Sequence, residues 1–284
     1  MPATPPVTTA TRIEVQPLAS CVGAEIGNFD LAADLPEDVF ASIRQALNRW
    51  GVIFFRDQHL DAAQYLAFAR RMGEIEARAT LNHVEGHPQI GLLVKEADHK
   101  TSIGDMWHVD HTYMTDPISM TMLMARQVPP YGGDTLFAHA GKAFAALPEE
   151  MREMLRKLKA LHLRSHLIKD SRYKAQYLKE RPPQDAGEIK QAAAIHPAVK
   201  PHPESGEEIL YVNPGYTVQF DGWPRELSVG ILDGIFDHVL QPEFQCRFRW
   251  REGSIALWDN RAVWHRALND YHGHRREMYR VMIA

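Results

Sequence analysis

The 284-residue chain is 45% hydrophobic and 24% charged, which is enough apolar material for one large core or two small ones. A formal net charge of -4 offers no basic surface to nucleic acid or to a membrane, and two cysteines, Cys21 and Cys246, build neither a disulfide framework nor a thiolate zinc site. Met1 to Arg12, rich in Pro, Thr and Ala, has no basic-then-apolar order of an export signal, and no apolar run approaches the roughly 18 residues of a membrane span. A cytoplasmic globular protein with a flexible segment over 1–12 is expected.

Leu35 to Trp50 predicts a helix, with Val39, Ile43, Leu47 and Trp50 on one face and Gly51 as its stop. Val52-Ile53-Phe54-Phe55 reads as a strand, and Asp61 to Met72 as a helix with Asp61 as N-cap and Gly73 at its end. Ile90 to Val94 is strand-like, Glu96 to Asp105 is a polar loop, and Met106 to Asp110 and Ser119 to Val128 read as strands. After Gly132-Gly133-Asp134 come a short helix over Ala140 to Ala146 and a longer one over Pro148 to Leu161. The polar stretch 165–193 predicts a mobile insertion. Ile209 to Val212 is strand-like, Pro224 to Val239 is an amphipathic helix, and Gln245 to Trp250, Ser254 to Trp258 and Met278 to Ile283 are strands. Strands and helices do not alternate regularly, so a doubly wound sheet is disfavoured. A mixed α and β architecture, with two sheets as a sandwich or jelly roll and helices outside, fits better.

Fifteen histidines are the unusual count. In Trp107-His108-Val109-Asp110, residues two apart on a strand project from one face, so an imidazole and a carboxylate lie side by side. A third ligand has to come from elsewhere, and His265, following Trp258-Asp259-Asn260-Arg261, is the candidate. Two histidines and a carboxylate form the facial triad that leaves positions open on iron(II). An H-x-D triplet alone is common by chance. What gives it weight is Arg276 and Arg280, on one face of the last strand, because two guanidiniums facing a core each call for an anion. A solvent-facing strand is the competing reading.

Trp107-His108-x-Asp110, Gly132-Gly133-Asp134-Thr135, His196-Pro197, Trp258-Asp259-Asn260-Arg261, His265 and the pair Arg276/Arg280, eleven and fifteen residues beyond His265, stand in a single order. In that ordered set the chain resembles the taurine and phenoxyacetate-herbicide dioxygenases, a branch of the iron(II)/2-oxoglutarate oxygenases, from about Val15 to the last residue. The resemblance implies a single catalytic domain over 13–284 with a double-stranded β-helix (jelly-roll) core, and dimers or tetramers as the homo-oligomer. It implies His108, Asp110 and His265 as catalytic iron ligands, Thr135 and Arg276 as binding the distal carboxylate of 2-oxoglutarate, Trp258 as lining the iron pocket, and Arg280 as holding the substrate's anionic group. It also implies the chemistry: Fe(II), 2-oxoglutarate and O2 give succinate and CO2 and hydroxylate a small anionic organic substrate. A hydroxylated carbon bearing oxygen or sulfur then loses that heteroatom. Asp110 disfavours a halogenase, whose relatives lack this carboxylate.

Two other readings stay open, a zinc-type metallohydrolase using the same triad and a non-catalytic metal-binding module on the same fold. The first gives no role to Thr135, Arg276 and Arg280. Arg78 and Leu81 stand where taurine dioxygenases carry a His and a Tyr, and Gly104 where they carry an Asn, so taurine itself is disfavoured. Leu81, Gly104 and Tyr216, which can stack on a ring, look more like the aryloxyalkanoate enzymes. Arg78 joining Arg280 would suit a larger anionic head such as a sulfate or sulfonate.

Overall fold

The computed structural model describes residues 13–76, 82–164 and 192–284. The expected flexible segment, Arg78, Leu81 and nearly all of the 165–193 insertion lie outside the described residues.

In chain order the strands are β1 (Glu14–Pro17), β2 (Ala24–Gly27), β3 (Val52–Phe55), β4 (Ile75–Glu76), β5 (Asn82–Val84), β6 (His87–Lys95), β7 (Met120–Gln127), β8 (Thr135–His139) and β9 (Lys159–Leu163). They continue as β10 (Ala193–Pro197), β11 (Val199–Pro201), β12 (Glu208–Leu210), β13 (Thr217–Phe220), β14 (Gln245–Phe248), β15 (Ile255–Asp259), β16 (Val263–Ala267) and β17 (Arg276–Ile283). The helices are α1 (Glu37–Trp50), α2 (Ala62–Met72), α3 (Ala140–Ala145), α4 (Glu149–Arg156) and α5 (Arg225–Val239).

One large sheet runs β1-β2-β3-β15-β7-β17-β6-β5, with β4 beside β17. A three-stranded sheet, β14-β8-β16, and another, β10-β9-β13, complete the framework with the β11-β12 pair. The two faces of the large sheet follow from strand periodicity. Along β3, Val52 and Phe54 enter one core while Ile53 and Phe55 enter the other. On the helix side, Ile53 and Phe55 meet Ile43 and Leu47 of α1 and Tyr65 and Phe68 of α2. On the opposite side Phe54 stacks on Phe248 at 4.0 Å and meets Phe137 edge-on at 5.5 Å, joining the large sheet to β14-β8-β16. The site lies within this second core.

Local signals explain the element ends. The stripe Val39, Ile43 and Leu47 is buried, and α1 stops at Gly51, whose φ of 69° is left-handed and whose N–H donates to the Leu47 carbonyl. Asp61 and Gln64 form a reciprocal capping box on α2, and Gly73 ends it. β17 alternates as expected: Met278 faces the core between the sheets, Val281 and Ile283 the helix side.

Two expectations fail. Met106 to Asp110 is not a strand, for only His108 makes a bridge, with His265. Gly104 (φ 79°) and His111 (φ 56°) turn the backbone on either side, so extension is confined to about one residue pair. The helix expected over Pro148 to Leu161 ends at Arg156, and its tail becomes β9, where Ala160 and His162 are buried between more exposed neighbours. β8 and β16 were not anticipated, and His265 lies within β16 rather than past the end of β15. Among the described residues no helix is long and apolar enough to cross a membrane.

Candidate metal centre

His265 is carried by β16, which pairs with β8, while His108 is held against it by the isolated bridge. Two backbone hydrogen bonds close that bridge, from His108 N to His265 O at 3.1 Å and from His265 N to His108 O at 2.9 Å. The chain turns two residues later, which brings Asp110 back toward both imidazoles. Asp110 Oδ1 lies 3.6 Å from His108 Nε2 and 3.9 Å from His265 Nε2, and the imidazole centroids are 4.2 Å apart. All three side chains are buried.

Their protonation suits a cation. His108 Nδ1 donates to the Met106 carbonyl at 2.7 Å, which leaves Nε2 as the ring nitrogen that faces Asp110. Burial, with His108 and Arg280 nearby, pushes His265 down to about 3, so its ring is neutral. Burial alone would raise Asp110, but the adjoining imidazoles of His108 and His265 and the Arg280 guanidinium outweigh it and hold the carboxyl well below its ordinary value. Its second oxygen accepts from Thr121 Oγ1 at 2.9 Å. Asn260 orders this arrangement: its Nδ2 donates to Thr121 Oγ1, and its Oδ1 accepts from Trp258 Nε1, both at 2.9 Å. Trp258 also packs its ring 4.7 Å from His265.

Gly104 lies against the centre. A Cβ there would come within 3.3 Å of His108 Cε1. Tyr216 stands edge-on to His108 at 6.4 Å and to Tyr113 at 5.0 Å. Arg280 is half-buried on β17, touches Met282 Sδ at 3.4 Å and makes no ion pair among the described residues.

Arg276, on the same strand face, is 7% exposed, and its Nε and Nη2 are buried with no hydrogen-bond partner among the described residues. Burial pushes this guanidinium below its ordinary value, with the Tyr271 hydroxyl acting against it. Trp250 lies 5.7 Å from its Cζ and donates from Nε1 to Thr135 Oγ1 at 2.9 Å, tying Thr135 to the same pocket. Lys95, opposite Arg276 in the β6-β17 register, is also buried, with Nζ 4.3 Å over the Tyr271 ring. The sequence reading missed Tyr271, Trp250, Thr121 and Lys95. Only strand pairing could have found Lys95, and no pattern signals Tyr271.

A second acidic group, His202, Glu204 and Asp259, has metal-like spacing. Arg261 fills it instead, donating from Nε to Asp259 at 2.8 Å and pairing with Glu204 at 3.0 Å, while His202 meets Asp259 at 2.9 Å. That cluster is an internal ion-pair latch.

A mixed fold of mostly antiparallel sheets, with a buried His-Asp-His group and a buried guanidinium unmatched among the described residues, is that of a 2-oxoglutarate-dependent dioxygenase, an enzyme class that works with Fe(II), 2-oxoglutarate and O2. The family model described as taurine catabolism dioxygenase TauD, TfdA family matches residues 14–282, and the chain belongs to that family. It is 31% identical over 285 residues to an alpha-ketoglutarate-dependent sulfate ester dioxygenase of Pseudomonas putida, covering 97% of this chain and 90% of the relative. It is 30% identical to an (S)-phenoxypropionate/alpha-ketoglutarate-dioxygenase of Sphingobium herbicidovorans, covering 89% and 88%. A crystal structure of a taurine dioxygenase from Burkholderia xenovorans superposes with a TM-score of 0.81 at 32% identity, over 95% of this chain and 89% of that one.

Proposed function

We propose that this dioxygenase hydroxylates a small organic anion of the alkyl sulfate, sulfonate or aryloxyalkanoate type, with His108, Asp110 and His265 as the iron ligands. The observation that carries the reading is the buried Arg276 guanidinium, whose Nε and Nη2 edge is unmatched among the described residues. That edge fits a carboxylate by two parallel hydrogen bonds, as the distal carboxylate of 2-oxoglutarate requires. Thr135 adds a hydroxyl to the same pocket. The neutral His265 imidazole and the ionised Asp110, with His108 beside them, fit a divalent cation.

When bound, iron(II), 2-oxoglutarate and dioxygen supply the oxidising power: the oxo acid loses CO2 to become succinate, taking one oxygen atom, and the other enters a substrate C–H bond. The protein's part is to orient and to exclude water. Thr121 and Asn260 hold Asp110, Trp258 walls off His265, and Arg276 orders the oxo acid. Arg280, half-buried and without an ion pair among the described residues, supports an anionic substrate head beside the metal. Tyr216 and Tyr113 offer aromatic surface to its organic body. Where the attacked carbon carries oxygen or sulfur, the hydroxylated product collapses with C–O or C–S cleavage. The relatives named for sulfate esters and for phenoxypropionate fit this range of substrates. The same reading includes a double-stranded β-helix core formed by the two facing sheets, a single domain over 13–284, a cytoplasmic location and a homo-oligomer.

The test is succinate release with iron(II), 2-oxoglutarate and, in turn, hexyl sulfate, hexanesulfonate and phenoxyacetate. At least one anion is expected to stimulate release well above the substrate-free rate. Stimulation by none of them, or only by uncharged analogues, would contradict the proposal.

A further inference from the structure

The turn that follows Asp110 is strained and held from behind. His111 has φ 56°, a conformation that is strained for a non-glycine residue and persists only where surrounding contacts fix it. Met114 N donates to His111 O at 3.0 Å and closes the turn. Behind it lies His196 of β10, which is 5% exposed. A single nitrogen, His196 Nε2, is 2.9 Å from both the Thr112 and the Met114 carbonyls. Carbonyls only accept, so Nε2 carries the proton and bridges the two carbonyls flanking Tyr113. The other ring nitrogen accepts from Lys200 Nζ at 3.2 Å, which fixes that tautomer. Burial and the Lys200 charge also keep the ring neutral. Thr112 is pinned independently, its hydroxyl meeting His162 Nδ1 at 2.9 Å and Asn213 Nδ2 at 3.1 Å.

The turn presents Tyr113, whose hydroxyl meets His111 Nδ1 at 2.7 Å and whose ring packs edge-on against Tyr216, the residue beside His108. Tyr113 also lines a surface cleft with Glu76, Met114, Asp116 and Ala193 among the described residues. Tyr113 thus adjoins both that cleft and, through Tyr216, the His108 side of the candidate metal centre.

We propose that His196, backed by Lys200, is a positioning residue that clamps the His111–Met114 turn and thereby fixes Tyr113, which adjoins both the outer cleft and the substrate pocket. The role of that pocket rests on the proposed function; the clamp itself does not. Among the described residues His196 meets Thr112, Met114, Lys200, His162 and Tyr211 and none of His108, Asp110, His265, Thr135 or Arg276, so its loss acts on the substrate face and leaves 2-oxoglutarate binding alone. A glutamine amide, with two N–H groups for two carbonyls, can replace the clamp where alanine cannot.

The test compares wild type, His196→Ala and His196→Gln. In His196→Ala, hydrogen–deuterium exchange of the 111–115 amides is expected to rise about ten-fold or more while the β16 amides are unchanged, because only the local opening becomes easier. KM for the anion that wild type turns over rises about ten-fold, with KM for 2-oxoglutarate within about two-fold, since only interactions on the substrate face are lost. His196→Gln restores both. Unchanged exchange in His196→Ala, equal loosening of β16, or loosening with no change in substrate KM would each overturn the proposal. If wild type turns over none of the anions, the proposed function has failed, and the exchange comparison alone decides the clamp.

Discussion

Replacing Arg276 with methionine separates two effects that a merely structural arginine would not show together. In the absence of 2-oxoglutarate, Arg276 is a buried cation whose Nε and Nη2 are unmatched among the described residues, so its removal relieves a desolvation cost. The lost contacts with Tyr271 and Trp250 offset part of that gain. Replacement of buried charge by a well-packed apolar side chain is worth roughly 1–4 kcal/mol when it stabilises, and for a chain of this size about 1 kcal/mol moves Tm by about 2–4 °C. Arg276→Met is therefore expected to melt at or a few degrees above wild type without co-substrate. With co-substrate the order reverses. Two charge-assisted hydrogen bonds at roughly 1.5–3 kcal/mol each are lost, which at about 1.4 kcal/mol per decade weakens 2-oxoglutarate by about 100-fold or more. The assays are thermal denaturation with and without 2-oxoglutarate, and the KM for 2-oxoglutarate in succinate release. A variant that melts far below wild type, or one that keeps the wild-type KM, would refute the reasoning.

His108→Ala removes one of the three proposed ligands; iron binding and succinate formation should fall by about 1000-fold or more, as equilibrium dialysis and turnover would show. Gly104→Ala places a Cβ 3.3 Å from His108 Cε1 at a φ of +79°, so about 1–2 kcal/mol of stability should be lost together with iron affinity, read by melting and metal titration. An alanine variant as stable and as tight as wild type would contradict the close approach. His139, buried and pushed from 6.5 down to about 4 by burial and the neighbouring Lys142, gives a pH signature. The unfolded chain takes up a proton that the folded chain refuses between those values, so stability falls as pH drops from 6.5 toward 4, by up to about 3 kcal/mol for this residue. His139→Gln should flatten that part of the Tm-against-pH curve, and an unchanged slope would count against the assignment.

Much of this molecule can be read from its residues where one local rule dominates. The α1 stripe with Gly51, the Asp61 cap and the apolar run Val52–Phe55 are such cases, and all three have the form expected. Met106–Asp110 misled because its residue types suit a strand while Gly104 and His111 bend the backbone around it. The two-residue spacing still brought His108 and Asp110 together, through a turn and not through a shared strand face. Leu158–Leu161 misled in the opposite way, since a helical spacing of apolar residues ran into a segment whose burial alternates. His265 and the arginines were legible as a set only through the family resemblance. Tyr271, in the connection between β16 and β17, and Lys95 on β6 act through tertiary contacts that no spacing along the chain encodes, while His196 was visible only as part of an ordered motif and not for what it touches.

The most direct test of the central claim is an anaerobic titration of the purified protein with iron(II) and then 2-oxoglutarate, followed by the visible charge-transfer absorption of an iron-chelated oxo acid. One equivalent of each should saturate a band in wild type, and His108→Ala, Asp110→Ala and His265→Ala should each abolish it. A wild-type protein with no such band, or a band that survives loss of any of these three side chains, would contradict the assignment.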